Sequence, residues 1–231
     1  MDRLSALFPK QAFTDSTDTL FLLSITLLVF IHSVSIFVNP MAVFKKIHAA
    51  ATRISFGQDP KLASSQDFYS LTDKLSDGTP VSMEQFKGDV LCVVNVASKW
   101  GLTTRQYTQL IELVDKYEGF QVLAFPCNQF LGQEPGGNDE IQSCVRMHNG
   151  IRERLVLFEK GDVNGANARP VFTYLKNQLP FKDGTTNVLW NFGKFLVDHK
   201  GNPVKRYGSQ TDPLKMSETI EKLLEERKND Q

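Results

Sequence analysis

Leu91-Cys92-Val93-Val94-Asn95-Val96-Ala97-Ser98-Lys99-Trp100-Gly101-Leu102-Thr103-Thr104 carries the pattern from which the rest of the chain can be read. Residues 91–97 are an almost unbroken apolar run, as expected of a central strand buried on both faces. From residue 103 the period changes: Tyr107, Leu110, Leu113, Val114 and Tyr117 recur at helical spacing. Thr103-Thr104-Arg105-Gln106 has capping-box spacing. Residue 100 therefore stands at the C-terminal end of a strand, just ahead of a helix. In α/β sheets, ligands and catalytic groups collect at that place. The partial positive charge of a helix start stabilises an anion and lowers a thiol pKa. The indole of Trp100 can use none of this, because its polar group is a neutral N–H donor.

Working outward, residues 67–72 predict a strand, turned by the hairpin signal Asp77-Gly78. Ser82-Met83-Glu84-Gln85 has capping-box spacing ahead of a short helical turn. Residues 120–125 predict a second apolar strand, stopped by Pro126. Asn138 is the expected N-cap of a helix reaching about Met147. Residues 155–159 read as a strand, and residues 169–179 as a helix with Pro170 in its first turn. Residues 192–198 and 203–207 read as a hairpin around Lys200-Gly201-Asn202. Asp212-Pro213 opens a last amphipathic helix to about Arg227. This order predicts an α/β fold, a central mixed sheet flanked by helices on both faces, in a thioredoxin-like architecture.

Ahead of that domain, expected over residues 67–231, the chain differs in character. After a tail of residues 1–18, residues 19–38 contain no Asp, Glu, Lys or Arg. That is long enough for a helix to cross a bilayer core of roughly 30 Å. Lys45, Lys46 and Arg53 follow it without an acid, so the reading is a hydrophobic helix anchoring the domain on the cytosolic side of a membrane. Two alternatives stand beside this, a secretory signal peptide and a mitochondrial-type transit peptide starting at Met41. Residues 39–66 read as a basic and polar linker.

Lys+Arg and Asp+Glu both number 26, which gives no support for nucleic-acid binding. Cys92, Cys127 and Cys144 form no C-x-x-C pair, and the four histidines have no metal-ligand spacing. No metal and no bound cofactor are expected.

Three segments together resemble the glutathione peroxidase family. They are residues 95–103 (NVASKWGLT), 125–136 (FPCNQFLGQEPG) and 190–196 (WNFGKFL). The resemblance covers the chain from about Asp67 onward and implies a thioredoxin-like fold that reduces hydroperoxides with thiols. It also implies a catalytic tetrad: Trp100 at the position of the Cys or selenocysteine nucleophile, with Gln133, Trp190 and Asn191. A chalcogenide anion attacks one peroxide oxygen and becomes a sulfenic or selenenic acid. The Gln and Asn amides and the indole N–H can donate hydrogen bonds to that anion. Cys92 and Cys127 read as core residues. Cys144 lies near, but not at, the place where Cys-type members carry a resolving cysteine.

Two explanations fit Trp100: a UGA codon for selenocysteine translated as Trp, or a genuine Trp in a membrane-tethered binding or sensing pseudo-peroxidase. Only nine residues separate Pro180 from Trp190, where tetrameric members carry a longer insertion, so the resemblance implies a monomer with an open face able to admit lipid hydroperoxides. Glutathione is the implied donor and thioredoxin the alternative. Lys99, Arg105, Lys194 and Arg206 are candidate positive charges around the site.

Overall fold

The computed structural model describes residues 56–62, 66–148 and 153–230, all within the unit His48–Gln231. The expected tail, hydrophobic helix and most of the linker lie outside the described residues. Among the described residues no helix is long and apolar enough to cross a membrane.

The order is β1 (Thr72–Lys74), β2 (Pro80–Ser82), a 3-10 turn (Met83–Phe86), β3 (Val90–Val96), α1 (Thr103–Lys116), β4 (Phe120–Pro126), α2 (Asn138–Met147), β5 (Leu155–Leu157), α3 (Pro170–Gln178), β6 (Lys194–Val197), β7 (Pro203–Tyr207), a second 3-10 turn (Pro213–Met216) and α4 (Ser217–Asn229). β1 and β2 form a separate hairpin. The main sheet runs β5-β4-β3-β6-β7. β3, β4 and β5 are parallel, while β6 and β7 are antiparallel to their neighbours. The expected mixed thioredoxin-like sheet is present, with β3 at its centre.

Alternation along β3 explains the two cores. Val90, Cys92, Val94 and Val96 face Tyr107, Leu110 and Val114 of α1 and Ile220 and Leu223 of α4. Leu91 and Val93 face Phe172 and Leu175 of α3, with Phe68 and Phe86 from the hairpin side. Every residue of β3 is buried, as a strand covered on both faces requires.

Several boundaries differ from expectation. The first strand begins at Thr72, because residues 67–70 close a turn: the Asp67 carboxylate accepts from Ser70 N–H at 2.8 Å and its carbonyl accepts from the Ser70 hydroxyl at 2.8 Å. The strand expected over 192–198 is only Lys194–Val197, because Phe192 has φ 57°. The strand expected over 155–159 ends at Leu157, and Phe158 makes an isolated bridge to Leu75. Thr103 does not cap α1. Its hydroxyl turns back to donate to Ala97 O at 2.6 Å, tying the helix start to the end of β3. Asn138 is the first residue of α2 rather than its cap. Gly137 holds the cap position and its N–H donates to the Glu140 carboxylate at 2.8 Å. Ser82 does cap, accepting from Glu84 N–H.

Candidate active site

Three loops meet at the C-terminal end of β3, and backbone bonds hold them in register. Lys99 N–H donates to Gln133 O at 3.0 Å, so the loop after β3 lies against the loop after β4. Asn95, the single polar residue inside β3, holds the third loop. Its amide donates to Trp190 O at 3.1 Å and its carbonyl accepts from Gly193 N–H at 2.9 Å. Phe192 N–H also donates to Asn95 O at 2.7 Å. A fully buried side-chain amide thus satisfies two backbone groups of a turn that has no strand partner of its own.

The sequence-predicted residues converge here. Asn191, fully buried, donates from Nδ2 to Gln133 Oε1 at 2.6 Å. Its Oδ1 is buried without a hydrogen-bond partner among the described residues. Trp190 packs on Phe130, ring centroids 5.9 Å apart. Trp100 is half-buried, and its indole stacks on Phe192 at 5.5 Å and 23°. Thr103 N–H donates to Trp100 O at 3.0 Å, so residue 100 immediately precedes the first turn of α1 and its N-terminal dipole.

Both flanking loops carry left-handed residues that are not glycine: Leu131 at φ 55°, just before Gln133, and Phe192 at φ 57°, just after Asn191. Such conformations persist where the surroundings over-determine them, and they cluster at functional sites. Leu131 is also 80% exposed, an apolar side chain on the rim of the site.

Glu134, Gln129, Asn164 and Asn95 support this arrangement and were not picked out from the sequence. Asn95 was visible as an amide inside an apolar run. The other three are polar residues in polar loops, indistinguishable there from solvated ones. Glu134 is 1% exposed. Burial holds its pKa above the usual carboxylate value, with nearby Ser98 partly offsetting this, and its Oε2 is buried without a hydrogen-bond partner among the described residues. Lys160 donates to Gly136 O at 2.6 Å and reaches the Glu134 and Pro135 carbonyls. Gln129 Oε1 accepts from the N–H groups of Val163 and Asn164, at 2.9 and 3.0 Å.

The candidate charges divide. Lys99 is exposed. Arg105 pairs with Asp212 at 2.5 Å. Lys194 and Arg206 do not present charge to the site. Lys194 is fully buried, donating to Gln106 Oε1 at 2.8 Å and Phe192 O at 2.7 Å. Desolvation pulls its pKa down to about 8. Arg206 donates to the carbonyls of Thr186 and Asn187 at 2.8 and 2.6 Å and lies over the Phe181 ring. Their places in strands β6 and β7 turn them inward.

The cysteines behave as core residues. Burial pushes the thiols of Cys92 and Cys127 up to about 12, far from the depressed values of reactive thiols. Cys144 is buried on α2, and the phenol of Tyr107 is raised by burial first and then by Glu134 and Cys144. Among the described residues no cluster of His, Cys, Asp and Glu could hold a metal.

A sequence model described as glutathione peroxidase matches residues 68–176. The probable phospholipid hydroperoxide glutathione peroxidase of Citrus sinensis is 45% identical over 166 residues, covering 70% of this chain and 96% of the relative. The chain belongs to the glutathione peroxidase family. The glutathione peroxidase-like peroxiredoxin HYR1 of Saccharomyces cerevisiae is 45% identical over 162 residues, covering 69% of this chain and 98% of the relative. Among solved structures, T. cruzi GPX1 superposes with a TM-score of 0.57 at 33% identity, covering 69% of this chain and 97% of that one. Membership makes the protein an oxidoreductase of the glutathione peroxidase type.

Proposed function

We propose that the protein reduces organic and lipid hydroperoxides through a selenocysteine at position 100, which the sequence gives as Trp. The observation that carries this is the convergence of Gln133, Trp190 and Asn191 on the loop of residue 100, in a family whose chemistry needs those partners. A selenolate there attacks the distal peroxide oxygen. The O–O bond breaks, the alkoxide leaves and takes a proton, and selenium is oxidised by two electrons to the selenenic acid. A thiolate then displaces water to form a selenenyl sulfide, and a second thiol releases the disulfide and restores the selenolate. The amides of Gln133 and Asn191 and the Trp190 N–H serve as donors that favour the anion.

Lipid hydroperoxides are favoured by the exposed Leu131 on the rim and by the names of the Citrus sinensis and other plant relatives. The charge-free stretch of residues 19–38 supports anchoring at a membrane. The short connection between Pro180 and Trp190 supports a monomer. Glutathione is the donor we propose. Thioredoxin is favoured instead if Cys144 on α2 acts as resolving thiol.

The test is mass spectrometry of residue 100 in protein from its native source, with selenium expected. A confirmed indole there sinks the selenocysteine assignment. In parallel, Trp100→Cys is expected to show thiol-dependent hydroperoxide turnover that the Trp100 protein lacks. Equal rates for the two would contradict the role given to position 100.

A further inference from the structure

Part of the stretch expected to be a linker, residues 56–62, packs on the domain ahead of the family-matched residues. Asp59 is the centre of that contact. Its Oδ2 lies 2.7 Å from Lys176 Nζ, and the lysine side chain has no solvent exposure. Its Oδ1 accepts from Gly165 N–H at 2.8 Å. A buried ammonium left without a carboxylate is strongly disfavoured, so the segment supplies what α3 cannot supply for itself. Burial holds the Lys176 pKa below its usual value even with Asp59 beside it.

From Lys176 the contacts lead to the candidate active site in two further bonds. Lys176 Nζ donates to Asn164 Oδ1 at 3.2 Å. Asn164 then clasps the backbone of Val188: Oδ1 accepts from its N–H at 2.8 Å and Nδ2 donates to its carbonyl at 2.9 Å. Val188 lies two residues ahead of Trp190. A second track runs in parallel through rings, from Phe56 to Phe130 at 6.3 Å and from Phe130 to Trp190 at 5.9 Å. Gly165, at φ 79°, lets the segment lie this close, since a Cβ there would collide with the Phe56 carbonyl.

We propose that Asp59 is a positioning residue for Trp190, acting through Lys176 and Asn164. The inference rests on the peroxidase reading only for its effect on rate. Its effect on Trp190 is independent of chemistry. The test uses the full chain carrying Trp100→Cys, in which Trp190 is the single tryptophan. Asp59→Asn keeps the acceptor for Gly165 and removes the charge opposite Lys176. In the folded variant at 25 °C, Trp190 emission is expected to move to the red and acrylamide quenching to rise. Turnover of tert-butyl hydroperoxide is expected to fall about tenfold in kcat/KM.

The double variant Asp59→Asn/Lys176→Met folds without a buried charge but still lacks the link to Asn164, so it is expected to show the same Trp190 changes. It decides the question if the single variant fails to fold. Trp190 emission and quenching equal to the parent's in the folded double variant would overturn the proposal, as would a lower Tm in folded Asp59→Asn with emission unchanged. If Trp100→Cys proves inactive, the peroxidase reading fails while the fluorescence test still stands.

Discussion

Asn95→Ala is the sharpest test of how the site is held together. The side chain serves two backbone groups, the Trp190 carbonyl and the Gly193 N–H, in a place with no solvent exposure. Removing it strands both. A buried polar group left without a partner costs about 1–3 kcal/mol, so the two together set a range of about 2–6 kcal/mol. Water entering the vacated space recovers part of this, and a loss of about 3 kcal/mol is expected. That is roughly a hundredfold in the folding equilibrium, at 1.4 kcal/mol per tenfold, and about 6–12 °C in Tm for a domain of this size. Urea unfolding at pH 7 measures the total. Amide exchange localises it: Gly193 is expected to lose protection, while Val93 in the middle of β3 keeps protection relative to global unfolding. The left-handed Phe192 depends on this clamp, so near-ultraviolet signals from Phe192 and Trp190 are expected to weaken together. A stability loss below about 1 kcal/mol, or unchanged exchange at Gly193, would refute the argument that Asn95 holds the third loop.

Other expected outcomes follow from single groups. Lys194 titrates at about 8 in the folded chain against 10.5 otherwise, so the unfolded chain binds the extra proton between those values and stability rises with pH across that window; Lys194→Met is expected to remove that rise in urea titrations from pH 7 to 10.5. Burial raises the Glu134 pKa above its usual 4.5, so its ionised form weakens the fold at neutral pH and the native state gains stability as pH falls through the raised value. Glu134→Gln is expected to remove this acid-side gain, and a variant with the parent's pH profile would discount the carboxylate. In the Trp100→Cys background, Leu131→Glu is expected to slow turnover of phospholipid hydroperoxide in detergent micelles while leaving hydrogen peroxide turnover within about twofold, since an exposed rim residue bears on a bulky apolar substrate and little on a small one. In the Trp100→Cys background, Cys144→Ser separates the donors: thioredoxin-dependent turnover is lost if Cys144 resolves, and glutathione-dependent turnover is retained.

Local chemistry made much of this molecule legible from its sequence. β3 was visible because a strand buried on both faces must be apolar throughout, and α1 because one face of it must be. The position of residue 100 followed from the junction of those two patterns. Gln133, Trp190 and Asn191 stand out in the sequence only through the three family-like segments, not through any physical signal of their own. The edges were less legible. Thr103 has cap spacing, yet its hydroxyl bonds Ala97 O instead, because the strand end lies within reach only in the folded chain. Residues 67–70 have strand-like composition and are bent by a side-chain turn around Asp67.

The sequence by itself determined the element order, the two-faced burial of β3 and the placement of residue 100 at a strand end before a helix, because hydrophobic period and turn residues act over a few neighbouring positions. Only the tertiary structure decided which polar residues hold the site. Asn95, Glu134, Asn164 and the Asp59–Lys176 pair bond groups that are remote along the chain. Whether such a side chain is solvated or buried and committed depends on what the fold brings against it. The same holds for Lys194 and Arg206, whose charges look available to a ligand in the sequence but are turned inward by strands β6 and β7.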